Sequence, residues 1–256
     1  LTNQVTKKLL NMKKQLLSLV AVAICAFTQN TNAQTNSYWT SGTELIFSWS
    51  DAQFTEDFMT QYSDAVLLND PVRFTVVLNI SQNRHFDFSN SIGMFTGIGL
   101  RNVGMITNER LPQQIDGAAY QDYKLIRRQY TLGVPLALKI GNFDKGFFLF
   151  GGGEIEWAFV FKQKYWNTLD RSGEKTKSVD WFGKQTPAFL PSVFGGIQFP
   201  GGVNVRFKYY LTDFLNNNYK LNTQASGQFN VGDLTRYEST QLFYIAVSYS
   251  LMDFYR

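Results

Sequence analysis

The side chains in this chain with the means to do chemistry are charged, and they recur two residues apart. Glu154 precedes Glu156, His85 precedes Asp87, and Arg206 precedes Lys208. Two carboxylates at that spacing on an extended chain stand roughly 7 Å apart, a separation that suits paired acid and base work on a glycosidic bond. It is also the separation of any two residues on one face of a strand, and arginines on neighbouring strands are the simpler partners. His85 is the only histidine. Asp87 is near enough to orient its imidazole, but no nucleophile accompanies the pair, so a membrane-embedded hydrolase using His85 ranks third among the readings. Gly151-Gly152-Gly153 is followed by neither Lys-Ser/Thr nor a helix and fails as a phosphate loop. No spacing reads as a metal site, no cofactor is implied, and the expectation is a protein that is not an enzyme.

The elements that must position these residues are strands. Tyr130, Leu132, Val134, Leu136, Leu138 and Ile140 alternate with Gln129, Thr131, Gly133, Pro135, Ala137 and Lys139, one face apolar and the other small or polar. Gly141 to Gly146 supplies a turn. The chain resumes with Phe147, Leu149, Gly151, Gly153, Ile155, Trp157, Phe159 and Phe161 on one face, against Gly152, Glu154, Glu156 and Lys162. Both runs exceed the usual five or six residues of a soluble strand and reach the roughly nine to eleven of a tilted bilayer crossing. Aromatic residues sit near their ends, as interface girdles require.

Six further runs alternate in the same way. They carry Leu45, Phe47 and Trp49; Val72, Phe74, Val76, Leu78 and Ile80, with Val77 on the opposite face; Ile92, Met94, Ile98 and Leu100; Phe189, Val193 and Ile197; Val203, Val205, Phe207 and Tyr209; and Phe243, Ile245, Val247 and Tyr249. The connections cover roughly 51–70, 81–90, 104–121, 141–146, 164–185, 200–202 and 214–239, long alternating with short. That parity is the pattern of a transmembrane, antiparallel, up-and-down β-barrel of eight strands. The apolar faces then meet lipid. The opposite faces put Glu44, Arg73, Arg101, Arg127, Lys139, Glu154, Glu156, Arg206 and Lys208 in the lumen, where an eight-stranded interior is just wide enough for side chains to fill. On this reading a plugged core of ion pairs is the leading expectation for those nine, ahead of an anion-binding or conducting lumen, and the size argues against a general diffusion pore. His85 falls in the 81–90 connection, on the side of the short turns.

Of the 256 residues only 17% are charged, below the roughly 25% of ordinary soluble domains. Residues 1–33 hold Lys7, Lys8, Lys13 and Lys14 and no acid, so without them the net charge of +4 falls to zero. No argument for nucleic acid survives that subtraction. Met12-Lys13-Lys14 opens a signal peptide, Leu16 to Phe27 is its apolar core, and cleavage is expected after Ala33. Leu1 to Asn11 reads as sequence upstream of the start. Cys25, the only cysteine, departs with the leader, leaving a mature domain over residues 34–256 without disulfide or thiolate chemistry.

The run Tyr130-Thr131-Leu132-Gly133-Val134-Pro135-Leu136-Ala137-Leu138-Lys139, a turn and a Gly-rich aromatic strand, with Phe194-Gly195-Gly196-Ile197 and an aromatic last strand, resembles the PorT-like outer-membrane β-barrel proteins. The resemblance implies a Gram-negative outer-membrane location. It offers a small transport or protein-secretion component as the second-ranked role. The leading role is that of a structural or interaction protein contacting lipid, lipopolysaccharide or a protein partner through its long loops. In the first loop Phe54, Phe58 and Tyr62 recur every four residues, as on a short amphipathic helix. In another, Lys164, Arg171, Lys175 and Lys177 give a basic surface that would meet acidic lipopolysaccharide groups or pair with Asp51, Glu56, Asp57, Asp64 and Asp70 across the rim.

Overall fold

The computed structural model describes residues 36–112, 119–221 and 230–253; the leader read at residues 1–33 lies outside them. Alternation becomes strand throughout. In chain order the elements are β1 (Asn36–Phe54), α1 (Glu56–Gln61), β2 (Val66–Asn69), β3 (Arg73–Thr75), β4 (Ile80–Asp87), β5 (Ile92–Pro112), β6 (Tyr120–Asn142), β7 (Phe147–Trp166), β8 (Lys175–Trp181), β9 (Phe189–Gln198), β10 (Val203–Tyr210) and β11 (Tyr237–Asp253). All pairings are antiparallel. The ring runs β1, β3 with β4 as one interrupted strand, β5, β6, β7, β9, β10, β11 and back to β1, which closes an eight-stranded barrel. β2 and β8 lie off this path, on β5 and β7. The closing seam is continuous from Trp39 opposite Asp253 to Gln53 opposite Ser239, and past a bulge that skips Glu238 it ends with Phe54 opposite Tyr237.

Three short turns, 88–91, 143–146 and 199–202, mark one end, here the turn side; the connections at the opposite, loop side are longer. The exterior between them is apolar. On β6 it runs from Tyr130 to Ile140, about 33 Å along the strand and about 25 Å once tilted, the height of a bilayer-facing band. Exposed Trp39, Phe147 and Phe199 edge it on the turn side, and Trp157, Trp181, Phe182 and Phe189 on the loop side. Lipid is the solvent that such an exterior fits, because charged groups are absent from the band and concentrated inside the ring.

Three places depart from simple alternation. The second strand is interrupted: Thr75 faces Ile46 and Ile80 faces Thr43, so five steps on one strand match three on the other. The surplus bulges outward at Val76 to Leu78, with Leu78 at φ 62°. Val77, read from the sequence as lumen-facing, is therefore exposed at 68%. Asn79 repairs the ladder with its side chain. Its Nδ2 donates to the Glu44 and Thr75 carbonyls at 3.3 and 3.2 Å, and its Oδ1 accepts from the Asn102 N–H at 2.9 Å.

Beyond that bulge the strand continues through Asp87. Residues 81–87 are not a connection but a strand, with Gln82 exposed, Arg84 over the Trp39 and Phe86 rings, and His85 turned inward. The third departure is a β-bulge in β7. Tyr130 pairs with Val160 but Thr131 pairs with Ala158, which skips Phe159 and exchanges the two faces beyond it. Phe161 and Gln163 thus point inward and Lys162 and Lys164 outward, the reverse of unbroken alternation for Phe161 and Lys162. β5 and β6 also pair out to Pro112 opposite Tyr120, so the long 104–121 connection is largely sheet. With β2, β7 and β8 these ends form a blade that rises past the apolar band on one side only.

The interior is layered. Phe95, Ala137, Phe148, Phe150 and Phe194 pack together toward the turn side. A charged layer occupies the middle. On the loop side Phe54, Phe58, Leu111, Leu125, Phe161, Phe214, Leu215, Val231 and Leu234 form a second apolar core, with 211–221 and 230–236 folded over the mouth.

Candidate functional site

The middle layer brings together charges from four strands, β1, β5, β7 and β10. Arg101 on β5 donates through Nε and Nη2 to the Glu44 carboxylate at 3.0 and 3.3 Å, and through Nη1 to Glu154 and to Glu156, the latter at 3.4 Å. Lys208 Nζ meets Glu154 at 2.8 Å and also Glu156. Arg206 Nη1 reaches Glu44 at 3.2 Å, and the Tyr210 hydroxyl donates to Glu156 at 2.9 Å. Three cations face three carboxylates, all buried. Such charges are tolerated only when paired and hydrogen-bonded. Glu154 and Glu156 stand in this mesh, with no open face for a glycosidic substrate.

The remaining predicted lumen residues sit apart from it. Arg127 belongs to a loop-side group, where Nη1 reaches Thr107 and Glu109 and Nε reaches Gln163 at 3.0 Å. Arg236 also holds Glu109, at 3.1–3.2 Å, and Tyr237 hydrogen-bonds the same carboxylate. Glu109 and Arg236 were hidden in stretches that read as loops. Lys139 pairs with Asp87 on the turn side and hydrogen-bonds the Tyr38 hydroxyl at 2.8 Å. Arg73 is held by the Asn102 carbonyl and side chain, at 3.1 and 2.7 Å, rather than by a carboxylate.

His85 is buried in the turn-side half of the lumen, stacked on Tyr38 with ring centroids 4.8 Å apart. Its Nε2 shares a hydrogen bond with Thr40 Oγ1 at 3.0 Å. Asp87, read as its orienting carboxylate, is engaged by Lys139 instead, so that constellation does not form.

Among the proposed contact residues, Phe54 and Phe58 are corrected. The helix over 56–61 exists, capped by the Thr55 side chain accepting from the Phe58 N–H at 3.2 Å. Its apolar face turns inward: Phe54 and Phe58 pack on each other at 5.1 Å and Phe54 on Tyr237 at 5.6 Å, with Tyr62 half-buried beside them. They close the mouth rather than face a partner.

The basic residues do face outward. Cross-strand partners share a face, and on the blade these are Lys124 beside Trp166 and Lys175, Ile126 beside Lys164 and Lys177, and Arg128 beside Lys162 and Val179. Six cations therefore line one outer surface, directly above exposed Trp181 and Phe182. Lys162 lies 4.9 Å from the Tyr130 ring, and Arg171 and Lys175 lie 5.5 and 5.7 Å from Trp166. Among the described residues no salt bridge involves any of the six, and none joins them to the acidic first loop. Partial burial, then the nearness of Arg128, Lys175, Lys177 and Lys162, pulls the Lys164 ammonium below its ordinary pKa.

No protein-family model and no curated protein sequence matches the chain. Solved structures similar to it include Ail, the attachment invasion locus protein of Yersinia pestis, in complex with the heparin analogue sucrose octasulfate, at 8% identity and TM-score 0.36 over 84% of this chain and 99% of that one. Another structure of Ail stands at 9% identity and TM-score 0.33 over the same shares. The outer membrane protein OprG from Pseudomonas aeruginosa stands at 9% identity and TM-score 0.34, over 84% of this chain and 95% of that one. At such identities and scores nothing of what those proteins bind is carried over.

Proposed function

We propose that this protein is an integral barrel of a bacterial outer membrane, working as an interaction protein that holds phosphorylated lipopolysaccharide against the outer face of its β6–β8 blade. The observation that carries the reading is the set of six cations that form no salt bridge among the described residues, set above an aromatic rim. Aromatic rings seat at the edge of the hydrocarbon, and ammonium and guanidinium groups one or two turns of the ladder higher meet the phosphates of the outer leaflet. The loop side then faces out of the cell and the turn side faces the periplasm.

The test is lipopolysaccharide carried through purification, measured as phosphate per barrel. Replacing Lys164, Lys175 and Lys177 by Gln is expected to lower it several-fold and to flatten its salt dependence, with the fold unchanged by circular dichroism. Equal retention in the variant refutes the proposal. Export through a leader ending at Ala33 belongs to the same reading, and predicts Gln34 as the first residue of the mature chain on N-terminal sequencing. Neither the secretion role attached to the PorT-like resemblance nor a hydrolase built on His85 gains a specific observation: the middle layer fills the ring, and His85, although hydrogen-bonded to the Thr40 hydroxyl, lacks an orienting carboxylate because Asp87 is held by Lys139.

A further inference from the structure

A cavity of about 520 Å³ lies inside the turn-side half of the ring. Tyr38, His85, Phe95, Phe148 and Arg206 line it among hydroxyl and amide side chains, with Gly201 and Gly202 of a short turn at its mouth. Its size falls in the roughly 300–1,000 Å³ of small-molecule sites. The wall has two characters. Phe95, Phe148 and the Tyr38–His85 stack give ring surfaces, and hydroxyl and amide groups alternate around them.

Among the described residues no carboxylate lines the cavity, and its one guanidinium, Arg206, already shares its charge with Glu44 at 3.2 Å. The other polar groups of the wall, the hydroxyls of Thr40, Ser248 and Ser250 and the amides of Asn83, Gln198 and Asn204, both donate and accept. A phosphate or carboxylate finds no free cation there, whereas a neutral hydroxyl matches such a wall, since it too both donates and accepts. Several hydroxyls on a ring whose C–H face lies against aromatic side chains describe a sugar.

We propose that this cavity binds a neutral, polyhydroxylated ligand of about disaccharide size that enters from the turn side. The site is independent of the basic blade, which lies on the outer surface at the other end.

The unique histidine supplies its own probe. The full-length chain, labelled with ¹⁵N-histidine and held in lipid nanodiscs, gives imidazole resonances that come from His85 alone. Maltose and N,N′-diacetylchitobiose are titrated in, with sodium phosphate as the anionic control. A saturable shift of the Nδ1 resonance with at least one disaccharide in the millimolar range, weakened about tenfold by both Asn83→Leu and Asn204→Leu, is the expected result. If one variant fails to fold by circular dichroism, the other carries the comparison. No saturable shift with either sugar overturns the proposal. So does a shift with phosphate alone, which makes the cavity an anion site, or unaltered affinity in a folded variant, which places binding elsewhere.

Discussion

Lys208 is fully buried, yet it touches two carboxylates, with the Tyr210 and Tyr244 rings within 5.2 and 5.7 Å of its ammonium. Its worth is best seen by removing it alone. Lys208→Met leaves the central layer one charge short and is expected to destabilise the barrel by about 3–5 kcal/mol. The double variant with Glu156→Gln restores neutrality and should recover part of that loss. Urea unfolding in lipid vesicles measures both, and a double variant no more stable than the single one would refute charge balance as the organising term. Asp70 supplies the contrast on the loop side. Burial raises its carboxyl to about 6, with Glu109 and Asp51 adding to the rise, although it accepts the Ala52 N–H at 3.1 Å. A folded-state value above the unfolded value of about 3.9 means that protonation favours the fold. Stability of the mouth should therefore increase as pH falls from 7 toward 4. Hydrogen exchange over residues 52–70, corrected for intrinsic rates, should show more protection at pH 5 than at pH 7.5 in the native chain. Asp70→Asn should show no such difference.

At the scale of the element, the interrupted second strand and the bulge in β7 matter most. Asn79 stands in for a missing stretch of ladder through three hydrogen bonds. Asn79→Ala leaves the Asn102 N–H and two carbonyls without that partner and should cost about 1–3 kcal/mol, read from the same urea curves. These irregularities are also where reading by alternation failed. Period two gives the faces of β6 correctly from Gln129 to Ile140, because nothing shifts its register there. It misplaces Phe161 because the one extra residue in β7 reverses every assignment beyond it, and Val77 because two surplus residues bulge outward there while Asn79 and Ile80 keep their faces. Neither Val76-Val77-Leu78 nor Phe159 differs in type from a regular strand residue. The Gln129 side chain, turned so that its oxygen accepts from the Phe159 and Val160 N–H groups at 3.0 and 3.2 Å, lies thirty residues upstream of the bulge that it steadies. Strand ends past the apolar band were missed for another reason. Beyond Arg101, β5 is buried on both faces, with Val103, Met105 and Ile106 followed by Thr107, Asn108 and Glu109, so its residue types carry no contrast between faces.

For the whole molecule, the number of strands and the alternation of long and short connections follow from chain order alone, whereas the stacking of layers depends on which loops fold inward. Phe214, Leu215, Val231 and Leu234 are apolar residues in a long connection, and only the ring gives them something to cover. With this core above the charged layer, purified protein in planar bilayers is expected to show no unitary conductance; steady channels of uniform size would contradict the filled interior. The seam has a consequence in time. Trp39 must find Asp253, so the first strand waits for the last before the ring can exist. A nascent barrel lacking β11 would present the free edges of β1 and β10 to hydrocarbon, at several kcal/mol for each unpaired backbone group. The membrane becomes a tolerable solvent only once β11 is present, and insertion and closure are then a single step.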